Sequence, residues 1–195
     1  MVVTMIYFND GDLVVEQGNV RVYQANNELF LELGPGHNLW ALESELPDYV
    51  EQLWDKPKGD CLEIGLGLGV ASRYILSCPK VTSLTTVEVN EDVIAVQEKV
   101  NTILDTRKNE NIKFYKNKKH LILNADGLYY AYSTKCKYDF IFLDFYDVID
   151  EDTLPQIEDM TQACKRLLKD NGVITGWFDK ATPSEFIDDF NRLFK

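Results

Sequence analysis

The chain has 195 residues, 45% of them hydrophobic and 27% charged, with a formal net charge of −12. That is the balance of a folded globular chain, long enough to bury a substantial core in one domain, and not of a disordered one. So much negative charge argues against a nucleic-acid partner, whose phosphates would be repelled unless one face were strongly basic.

The N-terminal run MVVTMIYF is apolar but lacks a basic leader and a small-residue cleavage pattern, and it is too short to span a bilayer. It reads as a strand, with no membrane partner expected. Short β-rich runs at 2–8, 12–17, 19–24 and 28–33 are punctuated by Asn9-Asp10-Gly11, Gly18-Asn19 and Asn26-Asn27. Those dipeptides are turn chemistry, so the spacing predicts an antiparallel meander or hairpin pair ending at Gly34-Pro35-Gly36. Residues 1–42 are therefore read as a small β-rich N-terminal segment and 43–195 as the main α/β domain. A helix is expected over 43–54, with Leu46, Tyr49, Val50, Leu53 and Trp54 on its apolar face.

The run CLEIGLGLGVASRYIL, residues 61–76, organises the remainder. Cys61, Leu62 and Ile64 predict a buried strand that stops at Gly65-Leu66-Gly67-Leu68-Gly69, and Val70, Ala71, Tyr74, Ile75 and Leu76 fit a packed helix. Alternate glycines at such a turn let the backbone approach a ligand closely, and the first amides of the helix face it. Nineteen residues past Gly69, Glu88 closes the strand SLTTVEVN, where a ribose diol lies in nucleotide-binding α/β folds. Gly-x-Gly-x-Gly differs from the Gly-x-Gly-x-x-Gly of dinucleotide sites, which lowers the nicotinamide reading.

From residue 59 onward strand and helix periods alternate, which predicts parallel βαβ units. Asn90 is placed to cap a helix whose buried stripe is Val93, Val96, Val100, Ile103 and Leu104. Arg107, Lys108, Lys113, Lys116, Lys118 and Lys119 cluster within thirteen residues and read as a solvated helix end and loop. A third strand is expected at 120–126, with 112–115 competing for the role. Asp126, at its end, is either a ligand contact or the cap of a short helix over 127–135. YDFIFLDFYD, 138–147, has the unbroken apolar middle of a central strand and ends in Asp144 and Asp147, one of which could instead cap the helix near 150–155. A helix through Ile157, Met160, Cys164, Leu167 and Leu168 stops at Asp170-Asn171-Gly172, and a fifth strand follows over 172–178. Thr182-Pro183-Ser184-Glu185 has the pattern of a capping box opening a last helix.

Cys61, Cys78, Cys136 and Cys164 share no metal or redox spacing and read as reduced thiols of an intracellular, cytoplasmic protein. His37 and His120 have no acid or cysteine at metal-ligand spacing, so no metal is expected. Tyr146, with Trp40 and Tyr23, is a candidate for lining an acceptor pocket.

The order of these pieces over residues 59–195 resembles the class I S-adenosylmethionine-dependent methyltransferases, a Rossmann-like fold. That resemblance implies S-adenosyl-L-methionine as cofactor, held by Glu63, Gly65, Gly67, Gly69, Glu88 and Asp126. It also implies a sheet lacking the last two strands of the usual seven. The layout is most similar to spermidine synthase within that superfamily: a β-rich segment and a helix precede the glycine strand, and Asp144-x-x-Asp147 resembles that family's acidic loop. Two positions depart from it. Aminopropyltransferases generally carry an aspartate where this chain has Leu68 and an apolar residue where it has Glu63, and Glu63 is what a methyltransferase would turn toward the methionine ammonium.

The expected function is accordingly methyl transfer from S-adenosylmethionine to a small molecule, an amine given the acidic site. Asp144 is the candidate base, and Tyr146 and Asp147 are candidate substrate contacts. The alternative is a spermidine synthase-like aminopropyltransferase using decarboxylated S-adenosylmethionine. A second alternative, supported by the early end of the chain, is a non-catalytic cofactor-binding module. Exposed sheet edges would favour a homodimer.

Overall fold

The computed structural model describes residues 11–34, 36, 38–107 and 118–195, which form two sheets in succession. The first is an antiparallel meander of β1 (Asp12–Gln17), β2 (Val20–Ala25), β3 (Glu28–Leu33) and β4 (Asn38–Leu42), in that order. Asn26 and Asn27, at φ 49° and 65°, supply the paired left-handed positions that a tight hairpin turn requires. β4 corrects the expectation that the antiparallel meander ends at Gly34-Pro35-Gly36, for it adds a fourth strand within residues 1–42, pairing Asn38 with Leu33 and Leu42 with Phe30. Its residues are half-buried or exposed, so the alternation that announces a strand is weak in NLWAL. The strand expected over 2–8, the competing segment 112–115, His37, Lys108, Lys113 and Lys116 lie outside the described residues.

A short 3₁₀ turn, Glu43–Glu45, leads into α1 (Leu46–Gln52). This helix is shorter than expected, and Trp54, assigned to its apolar face, is 72% exposed beyond its end. The second sheet is all parallel, in the order β7-β6-β5-β8-β9. Its strands are β5 (Gly59–Ile64), β6 (Val81–Glu88), β7 (Lys119–Asn124), β8 (Tyr138–Leu143) and β9 (Leu168–Gly176). The connecting helices are α2 (Val70–Ser77), α3 (Glu91–Leu104), α4 (Gly127–Ser133) and α5 (Leu154–Lys165), and α6 (Ser184–Leu193) follows β9.

The period of two in the central strands divides the core. Cys61, Phe140 and Phe142 face α1, α2 and α3, whereas Leu62, Ile64, Ile141 and Leu143 face α4, α5 and α6. Phe140, Ile141, Phe142 and Leu143 are all fully buried, which is why this run is apolar without alternation. Val93, Val96 and Val100 of α3 pack in the same core as Val20, Val22, Leu29 and Leu31, so the meander is seated on α3. Each such side chain contributes about 1.5–3 kcal/mol when fully buried.

Two boundary expectations change. α5 ends at Lys165 and β9 begins at Leu168, ahead of the Asn171-Gly172 turn chemistry, because a register irregularity between Leu168 and Val173 absorbs those residues inside the strand. The capping box at Thr182–Glu185 does not form: Pro183 is the N-cap of α6, with no side-chain cap bond. Arg107 is not solvated; it is bonded to the carboxylate of Glu43 and to the carbonyl of Asn27 (2.6 Å), tying the end of α3 to the entry of α1. Among the described residues no helix is long and apolar enough to cross a membrane.

Candidate functional site

The carboxyl ends of β5, β6 and β8 meet where strand order reverses between the first strand of the parallel sheet and the fourth, the place where open α/β sheets bind ligands. The glycine turn lies across this edge. Gly65 adopts φ 98°, and a Cβ there would strike the backbone carbonyl of Asp144, so the loop can cross β8 only with glycine. Gly67 (φ 50°) faces β4, where an added Cβ would come within 3.2 Å of the Ala41 Cβ. Gly69, also left-handed at φ 70°, is the N-cap of α2. Gln97 of α3 fixes the loop from behind by donating to the Gly67 carbonyl at 2.7 Å.

Two cavities open from this edge. The larger, about 490 Å³, is lined by Gly65, Glu88, Val89, Asp126, Leu128 and Met160, among others. Glu88 is 8% exposed; its Oε2 accepts the Leu66 N–H at 2.9 Å and its Oε1 the Asn90 N–H at 2.8 Å. Burial pushes its pKa up while those backbone donors pull it back, so the carboxylate is oriented with lone pairs to spare. Asp126 caps α4 by accepting the Tyr129 N–H at 2.7 Å, and it also lines the same cavity.

The smaller cavity, about 230 Å³, lies between the glycine turn, β4, α1 and the loops after β8 and β9. Glu45, Asp144, Asp147 and Asp179 line it together with Trp40, Tyr49, Tyr146 and Trp177. Among the described residues no lysine, arginine or histidine lines either cavity. Asp144 belongs to both, as do Trp40 and Leu66, so it stands at their junction. Tyr49 donates its hydroxyl to Asp144 Oδ2 at 2.9 Å. Burial raises Asp144 to about 7, the Tyr49 hydrogen bond lowers it, and the charge of Glu88 raises it. Burial also holds Tyr49 well above its ordinary value, so it remains a donor.

α1 also positions the far wall. Gln52 donates to the Phe178 carbonyl at 2.7 Å and accepts the Phe178 N–H at 3.2 Å, which fixes the loop carrying Asp179. Lys180 turns outward to Asp48 (2.7 Å) and Glu51 (2.9 Å), so its charge is held by surface acids. Tyr146 donates to the Trp177 carbonyl at 2.8 Å, leaving its ring as cavity wall.

Of the residues singled out in the sequence, Gly65, Glu88, Asp126 and Asp144 come together around the larger cavity, and Gly67, Asp144, Tyr146, Asp147 and Trp40 around the smaller. Asp147 is not a helix cap: Thr153 is the N-cap of α5, without a side-chain cap bond, and Asp150 holds the turn before it by accepting from the N–H groups of Asp152 (3.0 Å) and Thr153 (2.9 Å). Tyr23 pairs with Phe30 within the meander and lines neither cavity.

Glu63 is 1% exposed and lies beneath the glycine turn, lining neither cavity. Its Oε2 accepts from the Ser72 hydroxyl and from the Thr86 hydroxyl (2.6 Å), and its Oε1 is buried without a partner. Burial raises its pKa to about 8 against the opposing effect of those hydroxyls.

Sequence reasoning missed Glu45, Tyr49, Trp177 and Asp179. Tyr49 reads as one more apolar-face residue, and nothing in its spacing pairs it with Asp144. Asp179 had a signal: it stands just past the fifth strand, the position that Asp144 holds after the fourth.

Comparison with known proteins agrees with this layout. Residues 50–180 match the spermine/spermidine synthase domain. The polyamine aminopropyltransferase of Prochlorococcus marinus (strain MIT 9312) is 28% identical over 137 residues, which are 70% of this chain and 44% of that protein. This chain thus spans less than half the length of that relative. The crystal structure of spermidine synthase from Thermotoga maritima superposes with a TM-score of 0.64 at 20% identity, covering 93% of this chain and 62% of that one. TrmN from Thermus thermophilus shares the fold more distantly, with a TM-score of 0.52 at 12% identity over 90% of this chain and 52% of that one. The family matched favours the expected alternative, the spermidine synthase-like reading, over methyl transfer. Because the domain match covers well over half of its residues, this chain belongs to the spermine/spermidine synthase domain family.

Proposed function

We propose that the chain transfers an aminopropyl group from decarboxylated S-adenosylmethionine to a cationic amine of the polyamine class. The observation that carries this reading is the junction at Asp144 between a partly apolar cavity ending in Glu88 and a cavity walled by four carboxyl groups. A methionine carboxylate entering the smaller cavity would meet acids and, among the described residues, no lysine, arginine or histidine, whereas an aminopropyl ammonium would be neutralised there. The larger cavity fits a nucleoside: Glu88 has lone pairs for a ribose diol, and Ile64, Val87, Leu128 and Met160 offer apolar surface to a base.

The donor would supply a carbon activated by positive sulfur; its displacement forms a C–N bond, breaks the C–S bond and leaves the electron pair on a neutral thioether. The chain's part is alignment and proton removal. Asp144, held by Tyr49 and poised at about 7, accepts the proton of the attacking amine. Asp147 and Asp179 add negative charge to the wall that receives the donor's aminopropyl ammonium. Glu63 links α2 and β6 through the hydroxyls of Ser72 and Thr86. Leu68 is the observation that favours methyl transfer as a second reading, since it lines the acidic cavity without offering a carboxylate.

Calorimetric titration with decarboxylated S-adenosylmethionine, S-adenosylmethionine and 5′-methylthioadenosine tests the reading. Tighter binding of the decarboxylated donor than of the intact one is expected. A preference for the intact donor would transfer the assignment to the methyltransferase reading, and tight binding without turnover on any amine would leave a cofactor-binding module.

A further inference from the structure

The smaller cavity contains one acid that the reaction above leaves without a task. Glu45 ends the 3₁₀ turn and starts α1, one helical turn before Tyr49, and both side chains line the cavity. One of its oxygens is occupied: Oε2 accepts the Leu42 N–H at 3.1 Å. Among the described residues no ion pair neutralises it. The charges facing it are Asp144 from the loop after β8, Asp179 from the loop after β9 and Asp48 from α1, all negative. Lys180, the basic residue adjoining Asp179, is committed to Asp48 and Glu51. Burial and these neighbours raise Glu45 to about 7, a carboxyl short of positive charge. Asp144 is tied to Tyr49, so Glu45 and Asp144 are two separately oriented carboxyls in one small cavity, tethered by different backbone and side-chain donors.

We propose that Glu45 is a specificity-determining residue that reads the second ammonium of a diamine whose first amine is held at Asp144. This inference rests on the aminopropyltransferase reading for the identity of the reaction but not for its test, which is made by binding. The conservative variant Glu45→Gln keeps an oxygen for the Leu42 N–H and removes only the charge.

Wild-type chain, Glu45→Gln and Glu45→Asp are titrated with 1,4-diaminobutane and with 1-aminobutane, which differ by one ammonium group, and with 5′-methylthioadenosine as a check that the nucleoside side is intact. The wild type is expected to prefer the diamine. Glu45→Gln should lose about tenfold of that preference, the scale of one charge-assisted hydrogen bond, with nucleoside binding unchanged. Glu45→Asp, which retains the charge, should recover part of it. An unchanged preference in Glu45→Gln, equal losses for both amines, or no preference in the wild type would each overturn the assignment. A Glu45-dependent preference without any aminopropyl product would keep the residue's role and remove the reaction; product formed with wild-type discrimination by Glu45→Gln would do the reverse.

Discussion

The two cavities share Trp40, Leu66 and Asp144 yet are built by opposite means. The larger takes its defining features from short, local stretches: a strand, a glycine turn, and one acid at the end of each neighbouring strand. Its acids are tied to backbone N–H groups, as Glu88 is to Leu66 and Asn90. The smaller is assembled from β4, α1 and the loops after β8 and β9, and burial, helped by neighbouring carboxylate charge, raises Glu45 and Asp144 to about 7. A site whose anions are satisfied by backbone can wait for a neutral or polar ligand. A buried site whose anions face one another without a counter-charge among the described residues is suited to a cation.

Substitutions should separate the two. The largest effect is expected at the junction: Asp144→Asn preserves shape but cannot take the amine proton, and turnover should fall by about 10²- to 10⁴-fold, the range for a positioned general base. Binding of 5′-methylthioadenosine, followed by calorimetry, should stay within twofold of wild type on the order of experimental error. Full turnover in this variant would remove Asp144 from catalysis.

Next in size, Glu88→Ala should weaken nucleoside binding by about ten- to a hundredfold, through loss of charge-assisted hydrogen bonds, while diamine binding is retained. Equal weakening of both ligands would mean that the cavities are one site and not two.

Tyr49→Phe is expected to be milder, about tenfold in rate. The hydrogen bond at 2.9 Å favours the charged form of Asp144, so its removal should move the alkaline-rising limb of the pH–rate profile upward from about 7. A limb that stays in place or moves downward would show that Tyr49 does not tune Asp144.

The smallest effect is on stability. Glu63, raised by burial to about 8 from the ordinary 4.5, keeps its proton in the folded chain across a range where the unfolded chain has lost it. The folded state then binds more protons, so this group's effect on stability is most favourable below about 4.5 and declines as pH rises toward about 8. Glu63→Gln should flatten the fall in melting temperature between those limits; an unchanged slope would place the titration elsewhere.

The same contrast explains what could be read from the sequence. The parallel sheet, the glycine turn, Glu88 and the capping role open to Asp126 were all legible because each is signalled within a few residues of chain: apolar runs, alternate glycines, an acid closing a strand. β4 was not, since NLWAL is neither buried nor strongly alternating and is held by its pairing with β3. Tyr49 was visible only as a helix-face residue, because its partner Asp144 is far away in sequence and is brought to it by the packing of α1 against β8. Glu63 carried the acid expected of a methyltransferase motif, but the hydroxyls of Ser72 and Thr86 that engage it come from α2 and β6.

The most direct test of two cavities meeting at one base is to identify the products by mass spectrometry after incubating the chain with decarboxylated S-adenosylmethionine and 1,4-diaminobutane, and in parallel with intact S-adenosylmethionine. The account predicts a diamine extended by one aminopropyl group, with 5′-methylthioadenosine released in equal amount, from the decarboxylated donor alone. A methylated diamine with S-adenosylhomocysteine from the intact donor would contradict it.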